Sequence, residues 1–109
     1  MKSGIYKIVN KINGKFYIGS SVNIKHRWYM HKFELTKGTH HNPHLQNAWD
    51  KYGEENFVFS ILFETKKEFL LEKEQELLDM TKCYNRHIGY NIGKIAGAAF
   101  MGLFISTLI

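Results

Sequence analysis

Residues 4–19 read GIYKIVNKINGKFYIG, two short runs rich in Ile, Val, Tyr and Phe with Asn13-Gly14 between them. Asn-Gly is the strongest short-range signal for a two-residue β-hairpin turn, so a hairpin of residues 4–9 and 15–19 is expected. Such a turn sets Ile12 opposite Lys15, Asn10 opposite Tyr17 and Ile8 opposite Gly19. Side chains alternate with period two, so Tyr6, Ile8, Asn10, Tyr17 and Gly19 share one face, and Ile5, Val9, Phe16 and Ile18 share the other. Both faces carry large apolar groups, which predicts a sheet covered by helices. In this register Tyr6 lies four positions from the residue opposite Tyr17, about 13 Å along a strand. The two rings then flank a site without touching, and a contact between them would require a different turn.

Working outward, Asn23 is the expected N-cap of a helix over residues 24–37, with Gly38 as its stop. At about 100° per residue, His31 falls about 20° from Ile24, inside the apolar stripe with Trp28 and Leu35, and Arg27 borders it at about 60°. A second helix is signalled by Asn42 as cap, Pro43 in the first turn, apolar Leu45, Ala48, Trp49 and Tyr52, and Gly53 as stop. Residues 57–63, FVFSILF, have the length and apolar continuity of a buried third strand. Thr65-Lys66-Lys67-Glu68 has the form of a capping box opening a helix that runs to about Met80. On that helix Leu70, Leu71, Leu77, Leu78 and Thr81 form one face, and Glu74 sits in its middle. The order of elements gives an α/β (α+β) domain.

The 109 residues make one domain, and 44% hydrophobic with 15% aromatic residues excludes a disordered chain. Residues 1–50 carry eight Lys/Arg and two acids, residues 51–109 seven and eight, so the net charge of +5 comes from the first half. Five of the six histidines, His26, His31, His40, His41 and His44, lie there too. This favours a polyanionic partner, most simply nucleic acid, against a merely solvated basic face. Cys83 alone cannot form an internal disulfide, and the first residues lack a secretory pattern, so an intracellular, reducing compartment is expected. Residues 95–109 are uncharged, a run shorter than the roughly 20 residues that span a bilayer comfortably.

An ionised carboxylate on an apolar face must be protonated, paired with a cation such as Arg27, or bound to a metal. His31 is either a satisfied core histidine or a working one. If both helices pack on the face that carries the tyrosines, then Tyr6, Tyr17, Arg27, His31 and Glu74 converge. One Glu with a phosphate oxygen and waters suits Mg²⁺ or Mn²⁺, and with Arg27 such an ion offsets charge growing on a phosphate, which makes a phosphodiesterase site. His40-His41-Asn42-Pro43-His44 with Cys83 lacks the spacing of a closed zinc site. Neither a Walker loop nor Gly-x-Gly-x-x-Gly is present.

Gly4-Ile5-Tyr6, Tyr17-Ile18-Gly19, Arg27, His31, His40, Glu74 and Gly89-Tyr90-Asn91, in this order, resemble the GIY-YIG endonuclease family, in particular the catalytic domain of phage intron-encoded homing endonucleases. The resemblance spans residues 1 to about 93 and implies a small three-stranded antiparallel sheet flanked by helices that hydrolyses DNA with one divalent metal, Mg²⁺ or Mn²⁺. It implies Glu74 as metal ligand, Arg27 as phosphate clamp, Tyr6, Tyr17 and His31 as the groups that position or deprotonate the attacking water, and His40 and Asn91 as supports. A tyrosine near pKa 10 then needs the metal and Arg27 to lower it. Lys7, Lys15, Lys25, Lys32 and Arg27 are the expected DNA contacts, made to phosphate with little base readout. Residues 1–94 form the nuclease domain and residues 95–109 an apolar tail. Homing relatives continue instead into a linker and a separate DNA-binding region, so long-site recognition is not expected of this chain. The tail reads as a helix packed on the core, a protein or membrane contact, or the product of a shifted frame. The rival functions are a structure-selective repair nuclease and a non-catalytic, membrane-tethered nucleic-acid-binding module. The compartment is the cytoplasm of a bacterial or phage-infected cell, or a nucleus.

Overall fold

The computed structural model describes residues 1–96. Strands β1 (Gly4–Asn10), β2 (Phe16–Ser21) and β3 (Phe57–Glu64) form an antiparallel sheet in the order β2-β1-β3. Helices α1 (Ile24–Lys37), α2 (Pro43–Tyr52) and α3 (Leu70–Thr81) surround it. Tyr6, Ile8 and Tyr17 pack against α1 and α2 residues including Ile24, Leu35, Leu45 and Trp49. On the other face Ile5 and Ile18 pack against Leu70, Leu78 and Cys83. The condition that α1 and α3 share the tyrosine face is therefore not met: α1 and α2 lie on that side of the sheet and α3 on the other.

The hairpin forms, but not through a two-residue turn. Five residues, 11–15, connect the strands, and Asn10 N–H donates to the Lys15 carbonyl at 2.9 Å. Both asparagines bond the backbone two residues on: Asn10 Oδ1 accepts from Ile12 N–H and Asn13 Oδ1 from Lys15 N–H, each at 2.9 Å. Gly14 closes the loop at φ +76°, donating to the Asn10 carbonyl. The register moves by two residues, so Tyr6 faces Gly19 and Ile8 faces Tyr17. A shift of two leaves every side chain on its expected face. It brings Tyr6 and Tyr17 to diagonal positions, roughly 7 Å apart, which removes the separation that a two-residue turn imposes.

Two glycines are needed for close approach. A Cβ on Gly19 would sit 2.5 Å from Cζ and Oη of Tyr6, so the phenol lies directly over this residue. A Cβ on Gly4 would collide with the Phe63 carbonyl oxygen, next to the register shift at Ile5/Tyr6.

The caps of α1 and α2 are the expected ones. Asn23 Oδ1 accepts from His26 N–H, and Gly38 and Thr39 donate back to Leu35 and Glu34 carbonyls. Asn42 Oδ1 accepts from His44 and Leu45 N–H groups. Two expectations fail at the far end of the sheet. β3 is an edge strand and not a buried one: Phe57, Phe59 and Ile61 face the core, but α3 covers β2 and β1, leaving Val58 and Leu62 exposed. The capping box does not form either. Thr65 N–H still bonds the Ser3 carbonyl along the sheet, a 3₁₀ turn at Lys67–Phe69 follows, and α3 starts at Leu70 without a side-chain cap. Leu71 of the predicted apolar face is exposed.

The outer edge of β2 is closed by Gly89-Tyr90-Asn91. Tyr90 N–H donates to the Phe16 carbonyl at 2.9 Å, and the Asn91 amide bonds both Ile18 N–H and Ile18 C=O at 2.8 Å. One side chain thus replaces a fourth strand at the position between Tyr17 and Gly19. Ala96 packs at the margin of the α3-side core, its N–H held by Gln75 Oε1; the rest of the predicted tail lies outside the described residues. Among the described residues no helix is long and apolar enough to cross a membrane. Replacing Asn91 by Ala leaves a buried N–H and C=O unpaired, and chemical denaturation should show a loss of about 2 kcal/mol or more.

Candidate active site

His31 is fully buried at the centre of α1's inner face, with its ring 5.7 Å from that of Tyr6 and 5.5 Å from that of Tyr17. Its two nitrogens are both engaged: Nε2 lies 2.7 Å from Tyr6 Oη, and Nδ1 lies 2.7 Å from His40 Nε2. His40 Nδ1 in turn accepts from the Asn42 backbone N–H at 3.1 Å. That last donor fixes the direction of the whole chain, because a peptide N–H cannot become an acceptor. His40 Nδ1 is therefore unprotonated and its Nε2–H donates to His31 Nδ1. His31 Nε2–H then donates to Tyr6, whose own hydroxyl hydrogen is left to point elsewhere.

The loop bearing His40 is held by Gln46. Its Oε1 accepts from His40 N–H, and its Nε2 donates to the Leu35 carbonyl and to Asp50. Gln46, Asn42 and Ser20 were not singled out for the site from sequence. Asn42 read only as a helix cap. Gln46 lies beside the apolar stripe of α2 and, unlike Glu74 in the middle of its face, carries no sequence signal; its role comes from burial against the His40 loop.

Burial dominates the electrostatics. It holds the Tyr6 phenol well above its usual range and pushes Tyr17 up to about 12, although the Arg27 guanidinium beside both works in the opposite direction. The expectation that Arg27 lowers the tyrosines is correct in sign, yet burial outweighs it. Burial, together with Arg27 and the neighbouring imidazoles, drives His31 well down, and it drives His40 down to about 3. Both are neutral at neutral pH, as the hydrogen-bond chain requires.

Glu74 comes from the opposite face of the sheet. Its Oε1 accepts from Ser20 Oγ at 2.5 Å, and among the described residues no donor reaches Oε2. Burial raises its carboxyl, opposed by the Ser20 bond and by the charge on Arg27. The Glu74 charge also acts on Tyr6 and Tyr17. Edge strand β2 is what joins the two sides, carrying Tyr17 on one face and Ser20 on the other.

The remaining predicted residues are dispersed. Asn91 touches none of these groups directly and acts on the β2 backbone. Lys7 shares the face of Ile5 and Val9. Lys15 borders a shallow polar recess with His44, Asn47 and Arg86. Lys25 is exposed in the first turn of α1, and Lys32 lies over the Phe59 ring at 4.8 Å.

Residues 2–87 match the family model of the GIY-YIG catalytic domain. The chain is 40% identical over 92 residues to intron-associated endonuclease 1 of Enterobacteria phage T4, a match covering 84% of this chain and 37% of that protein. It thus spans little more than a third of the length of this relative. Among solved structures, a mutant catalytic domain of intron endonuclease I-TevI superposes with a TM-score of 0.76 at 36% identity, covering 88% of this chain and 98% of that one. The catalytic domain of homing endonuclease I-TevI gives 0.74 at 36% identity, covering 84% and 99%. The fold, the order of the motifs and these matches agree that the chain belongs to the GIY-YIG catalytic domain family.

Proposed function

We propose that this domain is a divalent-metal-dependent DNA endonuclease that hydrolyses phosphodiester bonds. The observation that carries this reading is the convergence of both motif tyrosines on one buried histidine, within the electrostatic reach of Arg27 and Glu74. GIY-YIG relatives named as endonucleases support it.

The residues present fit a hard divalent ion. Glu74 offers a carboxylate oxygen with no other donor among the described residues, on a group whose burial disfavours leaving the charge unpartnered. Mg²⁺ or Mn²⁺, which needs few protein oxygens and keeps much of its water, is the class that suits a single such ligand. When bound, the ion supplies charge stabilisation at the phosphate and makes water a better nucleophile.

The protein groups divide the remaining work. Arg27 stays cationic and binds the phosphate oxygens, opposing the negative charge that develops there. Tyr6 accepts from His31, so its O–H is free to donate and to orient the attacking water. His31 is not the acceptor for a Tyr6 proton in this arrangement, since Nε2 already carries one. Tyr17 lines the other side of His31. Ser20 orients Glu74, and Asn91 fixes the strand between Tyr17 and Gly19. Lys7, Lys15, Lys25 and Lys32 extend contact to DNA phosphate.

With Glu74→Ala, supercoiled plasmid in Mg²⁺ should remain uncut while circular dichroism and thermal midpoint stay near wild type; EDTA should silence the wild-type domain in the same way. Nicking by the Ala variant at the wild-type rate would sink the assignment. Tyr6→Phe should slow nicking by about 100-fold or more, and a rate unchanged from wild type would remove Tyr6 from the reaction.

A further inference from the structure

Next to the histidine chain lies a group that the nuclease reading does not use. The His41 ring stacks on His40 with centroids 4.2 Å apart, and its Nδ1 is 3.8 Å from Glu34 Oε1. Glu34 Oε1 is buried and, among the described residues, has no hydrogen-bond partner. A buried carboxylate oxygen left without a donor needs a cation or an ordered polar group to offset its desolvation. His41 Nδ1, at 3.8 Å, stands beyond hydrogen-bond distance of that oxygen. One ligand atom each from Glu34, His40 and His41 lie within 4.8 Å of one another.

We propose that Glu34, His40 and His41 form a second cation site, separate from Glu74, which takes a borderline divalent transition ion such as zinc and not magnesium. Two imidazole nitrogens and one carboxylate oxygen match a four-coordinate zinc centre with water in the last position. Magnesium prefers an octahedral oxygen shell and has no such partner here. Ligand atoms around a tetrahedral zinc are roughly 3.4 Å apart, so the site closes by small side-chain movements. The His41 and Glu34 side chains are both partly accessible, which gives the ion a path from solvent and the side chains room to move. Arg27, close enough to act on both rings, opposes a cation, so the charge on Glu34 is the indispensable part of the set.

Occupancy has a consequence for the reaction. Both nitrogens of His40 are already bonded, Nε2 to His31 and Nδ1 to Asn42 N–H. In this tautomer the lone pair available to a metal is on Nδ1, so ligation displaces the Asn42 N–H that anchors the ring and shifts its Nε2–H donor against His31. Zinc at this site is then an inhibitor acting through that chain. The inhibition rests on the function proposed above; the binding does not.

Binding is read on the Glu74→Ala protein, which lacks the catalytic carboxylate, by titration with Co²⁺ and by displacement with Zn²⁺. One equivalent should bind with the intense visible bands of a four-coordinate ion. His41→Ala or Glu34→Gln, added to that background, should weaken it by about tenfold or more. No cobalt spectrum, or one unchanged by His41→Ala, overturns the site. Inhibition is read as plasmid nicking in saturating Mg²⁺. Zinc near stoichiometry should slow the Glu74-containing wild type by about tenfold or more, while His41→Ala alone nicks at the wild-type rate and is not slowed. Equal slowing of both overturns the coupling. An intact cobalt site in a chain whose wild type never nicks would sink the nuclease reading and leave the second site standing.

Discussion

The peptide N–H of Asn42 donates to His40 Nδ1, and the polarity of the buried core follows from that bond. It cannot reverse, so two imidazoles in series are each forced into one tautomer, and the last proton of the series is presented to Tyr6. This satisfies every nitrogen of a histidine with no solvent contact, which a fold of this size could not otherwise tolerate at its centre. The fully buried core histidine is thus also the one that both motif tyrosines pack against. What makes it structurally acceptable also decides which group of the site can donate and which can accept.

Around this chain the protein removes charge. Burial raises both phenols and the Glu74 carboxyl and lowers the histidines, so that Arg27 is the permanent charge at the centre of the cluster. Such a cluster favours anionic ligands at Arg27 and a cation at Glu74, the arrangement that a phosphodiester with its metal would complete. The two halves come from opposite faces of the sheet, and edge strand β2 links them, with Tyr17 on one face and Ser20, bonded to Glu74, on the other. That edge is also why Asn91 matters: it pairs the backbone that would otherwise fray exactly where Tyr17 and Gly19 must hold position.

Much of this was legible in the sequence where one physical rule governs a short stretch. The Asn23 and Asn42 caps and the Gly38 stop are local bonds, and they form as read. The faces of the hairpin survived an incorrect turn because the register moved by two, the period of a strand. The turn departs from the two-residue form because asparagine side chains take backbone donors that such a turn does not supply. Failures of a different kind came from tertiary context. The continuity of FVFSILF says nothing about whether a helix covers its second face, and here α3 lies over β1 and β2 instead. Glu74 stood out on its helix, but the sheet face it would approach, and Ser20 as its partner, depend on how helices are dealt to the two sides. Gln46 and the Asn42 N–H were invisible as site elements because their role appears only once the His40 loop folds back onto α1.

The most direct test of the account is nitrogen-15 NMR of the histidine rings at neutral pH, assigned through long-range couplings to the ring protons. His31 and His40 should both be neutral with the proton on Nε2 and a bare Nδ1. A proton on His40 Nδ1, or a fully charged ring at either position, would contradict it.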